Sequence, residues 1–163
     1  MTPGKYLELR RTAAGLSLDD VALMTDTTPP RCARDRAELL HLIEADLVPV
    51  SSDVVIALQH AFAFDQRALV LLVAIHAGAD IAAPQLCRVC GCSWNDPCLD
   101  EHDQGCAWSA DDTDLCTSCL VAAAEASFTA KPPVFDKHVQ MIVIAGDVGA
   151  PVWRSTIASA PAA

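Results

Sequence analysis

Seven of the chain's eight cysteines fall between Cys87 and Cys119, in the string CRVCGCSWNDPCLDEHDQGCAWSADDTDLCTSC. A stretch of that size cannot bury enough apolar surface to fold alone; below roughly 40 residues a metal or disulfides are usually needed. Any folded state of this region must therefore be built around its thiols. Metal ligation, redox exchange and disulfide pairing all use thiols in this way, and compartment helps to separate them. The N-terminus, MTPGKYLELRRTAAG, lacks the uninterrupted apolar run of a secretory signal. The longest apolar run, Ala68 to Gly78, is far shorter than the roughly 20 residues that span a bilayer. A cytoplasmic chain with no membrane span is expected, and thiols kept reduced there more often bind metal or act in catalysis than form disulfides.

The spacing points to metal. Cys87-x-x-Cys90 and Cys116-x-x-Cys119 are two knuckles, a pattern that reads as a four-thiolate zinc site. A two-residue gap lets both sulfurs of a knuckle face one ion at about 2.3 Å, and the second knuckle completes the tetrahedron. Gly91 permits the tight turn after the first knuckle. The helix-forming LVAAAEA places the second knuckle at a helix start, where the dipole favours thiolate charge. Cys92, Cys98 and Cys106 remain, with His102 between the last two. These four would complete a second tetrahedral zinc site; alternatively Cys98 and Cys106 are small buried hydrophobes and His102 is a solvent-facing loop residue. Cys32, distant in sequence, reads as a free thiol. One Zn2+ is expected, and two are allowed.

Catalytic patterns fit less well. The H-x-E partner of a zinc deaminase is missing, as are the histidines of an HNH nuclease, the second glycine of a rubredoxin knuckle and the spacings of a ferredoxin. Four protein thiolates also leave no open position for water, and closed sites are structural. No enzyme is expected.

Upstream of Pro84 the style changes to short amphipathic segments. A helix is expected from about Gly4 to Ala14, stopped by Gly15. A second is capped by Ser17, with Asp19 and Asp20 in its first turn. TDTTPPRC cannot continue a helix, because its prolines remove donors and clash. ARDRAELLHLIEAD resumes the helical pattern, Ser51 or Ser52 caps the next helix, and Asp65 caps a fifth that ends before Gly78.

LELRRTAAGLSLDDVA followed by LIEADLVPVSSDVVIALQHAFAFD resembles the Cro/repressor-type (XRE-like) helix-turn-helix domain. The resemblance covers about Tyr6 to Asp65 and implies a DNA-binding fold whose third helix enters the major groove. The chain departs from that pattern by an insertion, TTPPRCAR, at the start of this helix. On the resemblance, Arg34 and Arg36 would read bases and Arg31 would hold phosphate. Arg10 and Arg11 could join them at one end. The string from Leu86 to Leu120 is also similar to a cysteine-rich motif of small phage and prophage proteins, and its knuckles, loose hairpin and helix resemble a treble-clef or zinc-ribbon module. Trp108 is expected to lie over the sulfurs.

Charge argues the other way. The chain has 11 basic and 21 acidic residues, a net charge of −10. Neither side of Asp80 has the cationic excess that phosphate contacts need.

In the tail, HVQMIVIAG and PVWRSTIA flank DVGA and read as a β-hairpin. The expected architecture is α+β: a five-helix bundle over 1–80, a zinc module over 84–126, and a linker, hairpin and tail over 127–163. Two functions stay open, a DNA-binding transcriptional regulator of phage type and an acidic module that engages a host nucleic-acid-binding protein. Either is compatible with a homodimer.

Overall fold

The computed structural model describes residues 1–99 and 103–122, all of which fall in one compact unit. Five helices open it: α1 (Pro3–Ala13), α2 (Leu18–Met24), α3 (Ala33–Glu44), α4 (Ser52–Ala61) and α5 (Gln66–His76). None is long and apolar enough to cross a membrane.

The helix starts follow from local chemistry. Thr2 accepts from the Lys5 amide ahead of a proline in the first turn of α1, satisfying an orphan donor where proline costs nothing. Ser17 and Asp20 form a reciprocal capping box on α2. Ser51 and Asp65 cap α4 and α5 through the amides of Val54 and Ala68. Only α3 begins without a side-chain cap, at Cys32. The segment between α2 and α3 contains a cis Thr28–Pro29 bond. Gly15 and Gly78, with φ of 73° and 93°, end α1 and α5 in the left-handed region that glycine enters without steric cost.

One face of each helix enters a common core of Tyr6, Leu7, Val21, Ala22, Leu40, Ile43, Leu58, Phe62, Phe64, Ala68, Leu69 and Leu72, joined by Leu86. Helix α3 packs on both α1 and α2, α5 packs on α1, and α4 packs on α2. The first turn of α1 abuts the C-terminal end of α3. There the Gly4 amide donates to Asp46 Oδ1 at 2.8 Å, and Arg11 clamps Glu44 with two bonds of 2.6 and 2.8 Å.

A methyl group has no room at Gly4. A Cβ there would meet the Ile43 carbonyl oxygen and lie 2.6 Å from that of Glu44. Gly4→Ala should gain up to about 1 kcal/mol in helix propensity. It should nonetheless destabilise the fold by a net amount on the order of 2 kcal/mol, because the clash is with helix backbone rather than a movable side chain. Urea denaturation of the two proteins measures the difference; equal midpoints would contradict the packing described.

Beyond α5 the described residues contain no strand. Their β character is limited to two isolated antiparallel bridges, Leu99 with Gly105 and Trp108 with Cys116. The β part of the expected α+β architecture rested on the C-terminal hairpin, which lies outside the described residues, as does most of 127–163's preceding helix-forming run.

Candidate metal centre

The first knuckle closes on itself. The Gly91 amide donates to the Cys87 carbonyl at 2.9 Å, the Cys87 amide to the Cys92 carbonyl at 3.0 Å, and Gly91 supplies the positive φ of 71° that the turn requires. This turn brings Cys92 back beside Cys87 and Cys90. The Arg88 amide then donates to the Asp114 carbonyl at 2.9 Å, and the Arg88 side chain pairs with Asp112, tying the first knuckle to the approach of the second. Bonds from Ser109 to Leu115 and from Thr117 to Ala107 set the second knuckle. Residues 117–122 are helical, so Cys116 and Cys119 flank a helix start.

The sulfurs converge in two groups. Those of Cys87, Cys90, Cys92 and Cys116 all lie within 4.8 Å of one another, as do those of Cys92, Cys98, Cys106 and Cys116. Individual separations are 3.8 Å for Cys90–Cys116, 3.6 Å for Cys92–Cys106 and 3.2 Å for Cys90–Cys98. A tetrahedron with metal–sulfur bonds of about 2.3 Å has edges of about 3.8 Å, so the first two match a shared metal shell. All eight cysteines are free, and no sulfur pair stands at the roughly 2.05 Å of a disulfide.

Cys87, Cys92 and Cys116 are essentially inaccessible. Leu115 and Trp108 pack against them, as expected for Trp108, which in turn meets the exposed Trp94 edge to face at 6.2 Å. Cys119 packs against the same cluster but outside both groups of four, and burial pushes its thiol up. Cys32 is exposed at the start of α3. His102 lies outside the described residues.

Hydrogen bonds from Cys90 and Cys92 draw Cys98 down to about 4. Conversely, Cys92 is pushed up, first by its contacts with Cys90 and Cys98 and then by burial. Burial also raises Cys106. The Cys98 thiolate is stabilised at the expense of Cys92, and positive charge beside Cys92 and Cys106 would favour their ionisation.

The knuckle is joined to the helical bundle by a buried polar seam that the sequence reading missed. Arg10, 7% exposed, donates through Nε to the Ala63 carbonyl at 3.3 Å and through Nη1 to the Cys90 carbonyl at 3.4 Å. Its Nη2 lies 2.5 Å from Asp96 Oδ2, an ion-pair contact rather than an aligned hydrogen bond. Burial pushes the Asp96 carboxyl up, against the pull of Arg10. Asp65 does double duty. Its Oδ1 caps α5, while Oδ2 accepts from Ser93 Oγ at 2.7 Å and Asn95 Nδ2 at 2.9 Å. Burial would raise that carboxyl, but the bonds from Asn95 and Ser93 outweigh it and hold the group below its usual range. Tyr6 Oη accepts from the Asp65 amide at 2.8 Å, and Gly91 sits against Tyr6, Leu9 and Arg10.

The arginines of the helical region divide. Arg10 and Arg11 are bound into the interior, and Arg36, in the second turn of α3, donates to Asp26 Oδ1 at 3.1 Å. Arg31 in the loop and Arg34 in the first turn of α3 are exposed.

Compared with protein-family models, with curated proteins and with solved structures, the chain matches none of them.

Proposed function

We propose that this protein is a non-enzymatic DNA-binding regulator whose helical domain is braced by a structural zinc–thiolate centre. The observation that carries the metal part is the convergence of six thiols, from Cys87 to Cys116, into two overlapping groups of tetrahedral size, the first buried and the second partly so. Thiolates alone complete each group, which leaves no position for substrate or activated water, so the centre holds structure rather than performing chemistry. The DNA part is supported by the packing of α2 on α3 and by Arg34 and Arg31, exposed where the resembled domain meets the major groove.

A second reading has its own support. Ion pairs at Arg10, Arg11, Arg36 and Arg88 neutralise cations that a phosphate-binding surface would need, in a chain of net charge −10. That balance favours a basic protein partner.

Duplex binding separates the two. Selection from a random-core duplex library with the zinc-loaded chain should yield a preferred sequence. Arg34→Ala should then weaken binding by about 1–3 kcal/mol and relax one base position, whereas Arg31→Ala should weaken all sequences alike and flatten the salt slope by about one unit. A folded, zinc-loaded chain that binds no duplex at low salt would overturn the DNA reading and leave the basic-partner reading standing.

A further inference from the structure

The two groups of thiols overlap: Cys92 and Cys116 belong to both. We infer that the centre is binuclear, with the Cys92 and Cys116 sulfurs each bridging two zinc ions, Cys87 and Cys90 completing one tetrahedron and Cys98 and Cys106 the other. This rests on the zinc–thiolate reading above and deepens it.

Two tetrahedra need eight donor positions, and six sulfurs fill them only when the tetrahedra share an edge. The shared edge falls on Cys92 and Cys116, both fully enclosed. A single ion at the first group would leave Cys98 and Cys106, which lie beside Cys90 and Cys92, without a metal of their own. Loading both ions parts Cys98 from Cys90, whose sulfurs stand 3.2 Å apart here, because outer corners of edge-sharing tetrahedra lie about 5 Å apart. Two separate ions would need eight unshared donors; among the described residues six sulfurs make up the two groups, and Cys119 lies outside both. The second group is also pre-shaped by backbone. The Cys106 amide donates to the Cys98 carbonyl at 2.8 Å, and the Cys98 amide points at Cys106 Sγ at 3.3 Å, a donor that stabilises a terminal thiolate. Each thiol gives up its proton on binding. Two divalent ions then leave the six thiolates with residual negative charge.

Native mass spectrometry of the full chain should find two zinc ions. After exchange with cadmium-113, its spectrum should contain two resonances, each split by coupling to the other through the shared sulfurs. Cys119→Ser, outside both groups, should keep both ions and the splitting. Two resonances without mutual splitting would overturn the bridging, as would loss of an ion in Cys119→Ser. A single zinc per chain would overturn the binuclear centre while leaving a structural zinc site intact. A folded chain with no zinc would instead overturn the reading on which this inference rests.

Discussion

Cys116→Ser is expected to release the metal and unfold the cysteine region. Cys116 belongs to both groups of thiols, has no accessible surface and links the second knuckle to Trp108 through a backbone bridge. Structural zinc contributes on the order of 10–16 kcal/mol in small metal-organised domains, comparable to or larger than the roughly 5–15 kcal/mol that holds a typical domain folded. The small core around Leu115 has little else to replace it. Loss of near-ultraviolet dichroism from Trp94 and Trp108, together with loss of zinc, measures the effect. Cys32→Ser provides the contrast, because that thiol is exposed and remote, and should change stability by no more than about 0.5 kcal/mol. A Cys116→Ser protein with native dichroism would contradict a fold built around these sulfurs.

Arg10→Ala should be the most damaging change outside the cysteines. It removes the donors to the Ala63 and Cys90 carbonyls and leaves the Asp96 carboxylate without its countercharge in a setting that already disfavours ionisation. Breaking one side of a buried ion pair typically costs about 3–5 kcal/mol; with Asp96 partly open to solvent, about 3 kcal/mol is expected here. Adding Asp96→Asn to Arg10→Ala should recover part of that loss, since the stranded charge is gone. Urea denaturation of the single and double variants reads both quantities. A loss below about 1 kcal/mol, or no recovery in the double variant, would show that the seam does not hold the knuckle to the bundle.

These outcomes depend on features of unequal legibility in the sequence. Most helix boundaries could be read because they carry local chemistry: the capping box at Ser17, the caps at Ser51 and Asp65, and the glycines at 15 and 78, whereas α3 opens at Cys32 with no side-chain cap and was marked by its apolar spacing. Part of the thiols' convergence was legible from the two knuckles: Cys87, Cys90 and Cys116 meet as that spacing implies, whereas Cys119 stays outside both groups. Their grouping was not. Whether Cys92 joins the first knuckle depends on the turn at Gly91, and whether Cys98 meets Cys106 depends on the backbone pairing between them. Neither is encoded in a ligand spacing.

The seam was invisible for a different reason. Arg10 lies among basic residues and reads as surface charge until Asp96, far along the chain, comes to face it. Asp65 satisfies the pattern of a helix cap so well that its second oxygen, bound to Ser93 and Asn95, attracts no notice. Long-range pairing of polar groups has no periodicity to betray it. For the same reason the clustered arginines of the helical region suggested one cationic surface, whereas three of them turn to acidic partners.

Zinc K-edge X-ray absorption on the chain purified without added metal tests the central claim most directly. Sulfur neighbours alone are expected, four per zinc at about 2.3 Å, with no oxygen or nitrogen in the first shell. A folded protein with no zinc edge, or a zinc shell containing light atoms, would contradict a closed centre made of thiolates.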